Sequence, residues 1–222
     1  MREIEWDPRV NTLVSRPVAE YQQLHNETFV DRETVTLPPG NITTLPVPSG
    51  GAGGAIDVMV SFDLTSLDPT TAHSHFGVAV RASPTGVDGA GQKVEFFLGP
   101  SNTDGTRTLT VSGRRGSARP PKHPPPPPPT PYPAVNVTKI FPGETLDVRV
   151  LVDRMIVEVF VMGGRLSWTH TDVKNVPGEY PFDISNTSVH LFNHNSKHSV
   201  TVSNVSVYGM ACGWRADIPK VQ

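Results

Sequence analysis

Cysteine is almost missing from this chain: among 222 residues there is one, Cys212. A single thiol can form neither an internal disulfide nor a cysteine metal cluster, and Cys212 reads as a small buried apolar residue rather than a nucleophile. Long apolar runs are missing as well; no stretch approaches the roughly 20 residues needed to cross a bilayer as a helix. The opening MREIEWDPRV has no apolar h-region, so it does not read as a signal peptide. Charge is sparse, at 18% of residues with a net value of −2. Without a basic block, nothing draws the chain to nucleic acid or to an anionic membrane. Aromatic residues make up 7%, and Trp6, Trp168 and Trp214 are spread along the chain, which leaves little for a sugar-stacking platform.

Several catalytic patterns are also lacking. The glycine-rich PSGGAGGA (48–55) has no Gly-Lys-Ser/Thr with which to cradle a phosphate. No serine sits in a GxSxG elbow, so Ser-His-Asp chemistry has no anchor. His190, His194 and His198 form the tightest histidine group, but they straddle a turn without an HExxH pattern and read as solvated rather than as zinc ligands. No metal or cofactor is expected.

Proline (23) and glycine (19) are plentiful, and low charge with many turn residues suits a sheet protein with long loops. Residues 1–30 read as an extended lead-in and a short helix, with Pro17 near its first turn and Val18, Tyr21 and Leu24 at helical spacing. From Thr34 onward the period is two. Ile56, Val58 and Val60 share one face of 55–64, with Asp57, Met59 and Ser61 on the other. Short strands at 75–82, 93–99 and 106–113 follow, separated by Gly, Pro, Asn and Asp clusters. The polyproline tract 116–134 cannot donate to a ladder and reads as a stiff surface excursion between strands. It also resembles ligands of proline-recognising domains.

The remainder is dense sheet. Segment 143–153 alternates Leu146, Val148, Val150 and Val152 on one side. Segment 154–162 places Val157, Val159 and Val161 on one face and Ile156, Glu158 and Phe160 on the other. Asp153-Arg154 reads as a reversal. Gly163-Gly164 reads as a second, a dipeptide suited to a tight turn with positive φ. A third strand follows at 165–171, and two more lie at 188–195 and 199–210. The pattern predicts an all-β fold, a β-sandwich of two antiparallel sheets with about ten to twelve strands.

Glu158 is the anomaly, a carboxylate in the most apolar stretch. Glycosidase chemistry needs a second carboxyl group within roughly 5–10 Å, and the pattern brings none over it. Arg149 and Arg165, on adjoining strands, are its expected ion-pair partners. N-x-S/T sequons at Asn26, Asn41, Asn136, Asn186 and Asn204 exceed the roughly two that chance would place, and suggest N-glycosylation on a secretory route.

The run LDVRVLVDRMIVEVFVMGGR, followed by VHLFNHN and VTVSNVSVYGM, closely resembles the C-terminal β-sandwich of glycoside hydrolase family 32, the family of invertases, β-fructofuranosidases and fructan exohydrolases. Its signature corresponds here to Val152-Asp153, Ile156 to Phe160 with Glu158 inside, and Gly163-Gly164-Arg165. Arg2-Glu3 and Pro17-Val18-Ala19-Glu20 resemble the family's connector between two domains. Two loops depart from the pattern: the polyproline tract, and 172–179 before Tyr180-Pro181.

The resemblance implies a connector over 1–30, a sandwich over 31–215 and a tail over 216–222. It also implies that the family's catalytic motifs, carried by an N-terminal five-bladed propeller, do not lie in this chain. Trp6-Asp7-Pro8 lacks the Asn that precedes the family nucleophile, and Cys212 follows Ala211 rather than Glu. No catalytic residue is therefore expected. The implied role is structural support of a propeller partner in an enzyme acting on sucrose or fructans, extracellular or vacuolar. An exposed apolar flank, a tendency to dimerise and a bound fructose-containing oligosaccharide are further expectations. A stand-alone lectin-like sugar-binding module is the alternative.

Overall fold

The structure is a computed structural model, and it describes residues 2–48, 54–70, 74–82, 91–116, 136–153, 156–171 and 187–211. Fourteen strands are present among them. β1 (Arg2–Asp7) and β2 (Thr12–Pro17) form a separate antiparallel hairpin. A 3-10 helix, Ala19–Leu24, leads into β3 (His25–Leu37). Then come β4 (Ile42–Thr44), β5 (Ile56–Asp63), β6 (Ser74–Val80), β7 (Gly91–Ser101), β8 (Arg107–Gly116) and β9 (Asn136–Ile140). The series ends with β10 (Leu146–Asp153), β11 (Ile156–Val161), β12 (Leu166–Thr171), β13 (Val189–Asn193) and β14 (Val200–Met210).

Twelve of these strands make the predicted sandwich. One six-stranded sheet has the order β12-β11-β10-β5-β14-β3 and the other β4-β13-β6-β7-β8-β9. The meander of 143–171 is present as β10-β11-β12, with Val150 opposite Val159 and Val159 opposite Trp168. β14, late in the chain, inserts between β5 and β3, so the first sheet is complete only once both ends of the sandwich have met.

The alternation read from sequence is the alternation of the core. Val58 and Val60 of β5, Val148, Val150 and Val152 of β10, and Val157, Val159 and Val161 of β11 all point inward and are buried. They meet Phe76, Val78, Val94 and Phe96 from the opposite sheet. Three rings form the centre: Phe62 lies 4.9 Å from Phe76 and 5.7 Å from Phe96. Each fully buried side chain of this size contributes about 2–3 kcal/mol by leaving water, which explains why a chain so poor in charge folds around β-branched residues. Gly77 on β6 is required by packing, because a Cβ there would sit 2.1 Å from the Val94 carbonyl oxygen and 2.6 Å from the Phe192 ring.

One expectation needs correcting. The lead-in is a β-hairpin, not a single extended segment, and the helical turn after it is too short to bury a whole face: Tyr21 and Leu24 alone pack against the sheet. The expected positive φ at both glycines of Gly163-Gly164 is present, in a short turn over Met162–Gly164 in which Met162 (φ 53°), Gly163 (φ 64°) and Gly164 (φ 92°) are all left-handed. The polyproline tract, Asp153-Arg154 beyond Asp153, the 172–179 insertion, Tyr180-Pro181, Asn186, Cys212, Trp214 and the tail lie outside the described residues.

Candidate functional site

The outer face of the first sheet gathers the polar residues that the sequence made conspicuous. On β11, whose inward side is all valine, the outward side carries Ile156, Glu158 and Phe160. The N-terminal hairpin and the 3-10 helix lie across this face. Phe160 is buried with Ala55, Leu151 and Met210 under Tyr21 and Leu24. Burial of Tyr21, and then the nearby charges of Glu158 and Asp153, hold its phenol above the usual value.

Glu158 accepts from the Arg2 guanidinium of β1, at 2.8 Å from Nη2 and 3.2 Å from Nε. The same guanidinium reaches Thr169 on β12 and lies 5.1 Å from the centre of the Phe160 ring. The expected partners, Arg149 and Arg165, are engaged elsewhere. Arg149 sits opposite Met59 on β5, diagonal to Asp57, and makes two short contacts with that fully buried carboxylate: Nε to Oδ1 at 2.9 Å and Nη2 to Oδ2 at 2.6 Å. His25, at the junction of the 3-10 helix and β3, also contacts Asp57, with Nε2 2.8 Å from Oδ2, and stacks on Tyr208 at 4.1 Å. Leaving so buried a carboxylate unpaired would be strongly unfavourable.

Arg165 follows the glycine turn, and its side chain is 3% exposed. Its Nη2 donates to Glu144 Oε1 at 2.6 Å and its Nη1 to Glu144 Oε2 at 2.9 Å, a two-pronged pair. Nη1 also donates to the Lys139 carbonyl, and Nε lies 3.4 Å from Asp7 Oδ2, in the last residue of β1. Arg9 bridges the same two carboxylates from the hairpin turn. Hydrogen bonding to Glu144 raises the Arg165 pKa against the opposing effect of burial. Burial pushes the Glu144 carboxyl up, but hydrogen bonds from Arg165 and from the Phe141 N–H, with the charges of Arg165 and Arg9, outweigh it and leave the pKa lowered. Asp7 is also lowered, mainly by its hydrogen bonds from Arg9.

Gly164 explains the glycine pair. Beyond its φ of 92°, a Cβ there would fall 2.3 Å from the Ser15 carbonyl oxygen of β2. The hairpin backbone rests directly on this residue. Gly163 has open space around it and is needed for its φ of 64° alone.

The motif residues therefore converge on one task. Glu158 holds β1, Gly164 admits β2, and Arg165 ties the end of β1 to the loop before β10. Asp153, at the end of β10, is exposed and has no part in the clamp, and Ile156 is 43% exposed. The partner that sequence reasoning missed, Arg2, had a signal: it belongs to the Arg-Glu pair already noticed at the start of the connector.

The remaining candidates are dispersed. His190 is buried on β13, bonded to Thr44 Oγ1, and its pKa is lowered by burial. His194 stacks on His75 at 4.8 Å, His75 on Phe97 at 4.3 Å, and His75 Nε2 lies 3.3 Å from Glu95. Among the described residues, no three His, Cys, Asp or Glu side chains converge as a metal-binding group. Asn26 and Asn41 are exposed; Asn204 is half-buried within β14.

A two-sheet module with a clamped N-terminal connector is the class of protein these features define. The chain belongs to glycoside hydrolase family 32: the family's C-terminal region ("Glycosyl hydrolases family 32 C terminal") matches residues 20–209. It is 29% identical over 222 residues to the sucrose:sucrose 1-fructosyltransferase of Festuca arundinacea, covering 95% of this chain and 32% of that protein. Fructan 1-exohydrolase IIa from Cichorium intybus shares the fold, with a TM-score of 0.68 at 20% identity, over 95% of this chain and 40% of that one. A second structure of that enzyme is a complex with 1-kestose. The exo-inulinase of Aspergillus awamori aligns with a TM-score of 0.54 at 17% identity, covering 96% of this chain and 35% of that one. The chain thus spans about a third of the length of the curated relative it matches.

Proposed function

We propose that this chain is the non-catalytic β-sandwich module of a β-fructofuranosidase-type enzyme, acting with a five-bladed propeller that carries out hydrolysis or transfer at O-glycosyl bonds of sucrose or fructans. The division is a connector, a sandwich and a tail; the expected boundary at 30/31 moves to the start of β3, because His25 to Val30 already pair with β14 in the first sheet. The observation that carries this reading is the clamp. The carboxylates of Glu158, Glu144, Asp57 and Asp7 are each held by arginine, which suits them to positioning and removes them from acid-base work at a sugar bond. Asp57 ties β5 to β10 and β3, while Glu158, Glu144 and Asp7 position the hairpin, which presents Ile4 (67% exposed), Trp6 (51%) and Leu13 (63%) to solvent. Apolar side chains gathered this way, with Trp6 directly opposite Leu13, suit burial against a further domain. The apolar flank is therefore on the hairpin, whereas the sheet face beneath it is covered.

An extracellular or vacuolar location fits the sequons and is part of the same proposal. The test is to replace the corresponding sandwich of the chicory fructan 1-exohydrolase by this chain and assay fructose release from 1-kestose. The chimera is expected to be active and the isolated chain inactive. Fructose release by the purified chain alone overturns the reading.

A further inference from the structure

Three of the five sequons lie at sheet edges. A sandwich of two open sheets has four edge strands, and here they are β3 and β12 in one sheet and β4 and β9 in the other. An edge strand offers unpaired N–H and C=O groups to any other strand, including one from a second copy of the same chain. The β12 edge is attended by the hairpin, whose Arg2 bonds Ser167 and Thr169 on that strand. Each of the other three carries a sequon. Asn26 is the second residue of β3, Asn41 immediately precedes β4, and Asn136 is the first residue of β9.

We infer that Asn26, Asn41 and Asn136 are N-glycosylated and that their glycans cap these three edges, which no further strand pairs among the described residues. β3 is the edge most in need of a guard, at thirteen residues, and it is interrupted at the left-handed Arg32 (φ 49°), whose N–H is taken by Ser206. Asn26 and Thr28 are both exposed on it. Asn41 is exposed in a turn closed by its own N–H to the Pro38 carbonyl, with Gly40 at φ 68°. The Asn204 sequon is the internal contrast. It lies in β14, flanked by β5 and β3, with Asn204 Oδ1 buried and Ser206 2% exposed with its hydroxyl accepting from the Arg32 N–H. A bulky, hydrated glycan has no room there, and Asn204 stays unmodified in folded protein.

This inference rests on the secretory reading, and the experiment separates the two. The full chain is secreted from yeast behind a host signal, so that it meets the glycosylation machinery wherever its own gene sends it. Peptide mass mapping is expected to find glycan at Asn26, Asn41 and Asn136 and none at Asn204. Empty edge sequons, or equal occupancy at Asn204, overturn the assignment. Absence of glycan from protein taken from its native source, with these three occupied in yeast, overturns the secretory reading alone. Enzymatic deglycosylation of the same material, followed by sedimentation, tests the capping: self-association is expected at about tenfold lower protein concentration. A triple Thr28→Ala, Thr43→Ala, Thr138→Ala variant, which keeps every asparagine, is expected to behave like the deglycosylated protein. Unchanged association in both overturns the capping role.

Discussion

The hairpin and the sandwich are built on opposite principles. The sandwich closes on itself: Phe62, Val150 and Val159 and their neighbours have no exposed surface, and the structure needs nothing else to bury them. The hairpin has one buried residue, Val14, and three large apolar side chains in solvent. Dispersion and the hydrophobic effect hold the first, while a few charge-assisted contacts hold the second. The sandwich should therefore fold without the hairpin, and the hairpin should depend on the sandwich.

Substitution in the core gives the largest effect. Phe62→Ala removes the ring at the centre of the aromatic triplet and is expected to lower stability by about 3–5 kcal/mol in chemical denaturation. If it costs little, the two sheets are not held by that cluster. Breaking the clamp comes next. Arg165→Ala leaves Glu144 and Asp7 with only the exposed Arg9 between them, and a loss of at most about 3 kcal/mol is expected, the lower end for one-sided removal from a buried pair. The signature is local: limited proteolysis should cut within residues 8–12 of the variant well before the sandwich opens. Gly164→Ala should produce the same cleavage pattern, because its Cβ collides with Ser15. A uniform loss across the molecule would mean that the hairpin and sandwich are one unit.

A pH titration sharpens the same contrast. The Glu144 carboxyl has a lowered pKa in the folded protein. Its contribution is thus present above the unfolded value of about 4.3 and is lost as pH falls through the folded value. Proteolytic protection of the hairpin should accordingly persist at pH 5 and fail only below the ordinary carboxylate range, and Arg165→Ala should weaken this acid dependence, leaving the part due to the Phe141 N–H and Arg9. Smaller again is Glu158→Gln, since Arg2 and Glu158 are each partly in water; about 0.5–1 kcal/mol is expected. Smallest is Trp6→Ser, which should change the stability of the chain by no more than about 0.5 kcal/mol. In the chimera proposed above, the same change should impair folding or activity. A neutral result there would break the link between the exposed hairpin face and a partner domain.

Period-two alternation was sufficient to find β5, β10 and β11 and to assign each of their faces, because a strand buried on one side must place its apolar residues at every second position. The Gly-Gly pair announced a tight left-handed turn by the same local logic. The charge partners were not legible in this way. Arg149 and Arg165 are near Glu158 by strand adjacency, yet Asp57, on a neighbouring strand 92 residues away in sequence, and Glu144, in the loop before β10, take them instead. Arg2, 156 residues from Glu158, becomes its neighbour only when the hairpin folds back. The sequence by itself determined the main sandwich strands, their inward faces and the glycine turn, which depend on spacing along the chain, and it carried the motif through which the family resemblance is seen. Only the tertiary structure decided what Glu158, Gly164 and Arg165 are for, because ion pairs and close backbone approaches are set by which distant segments share a surface.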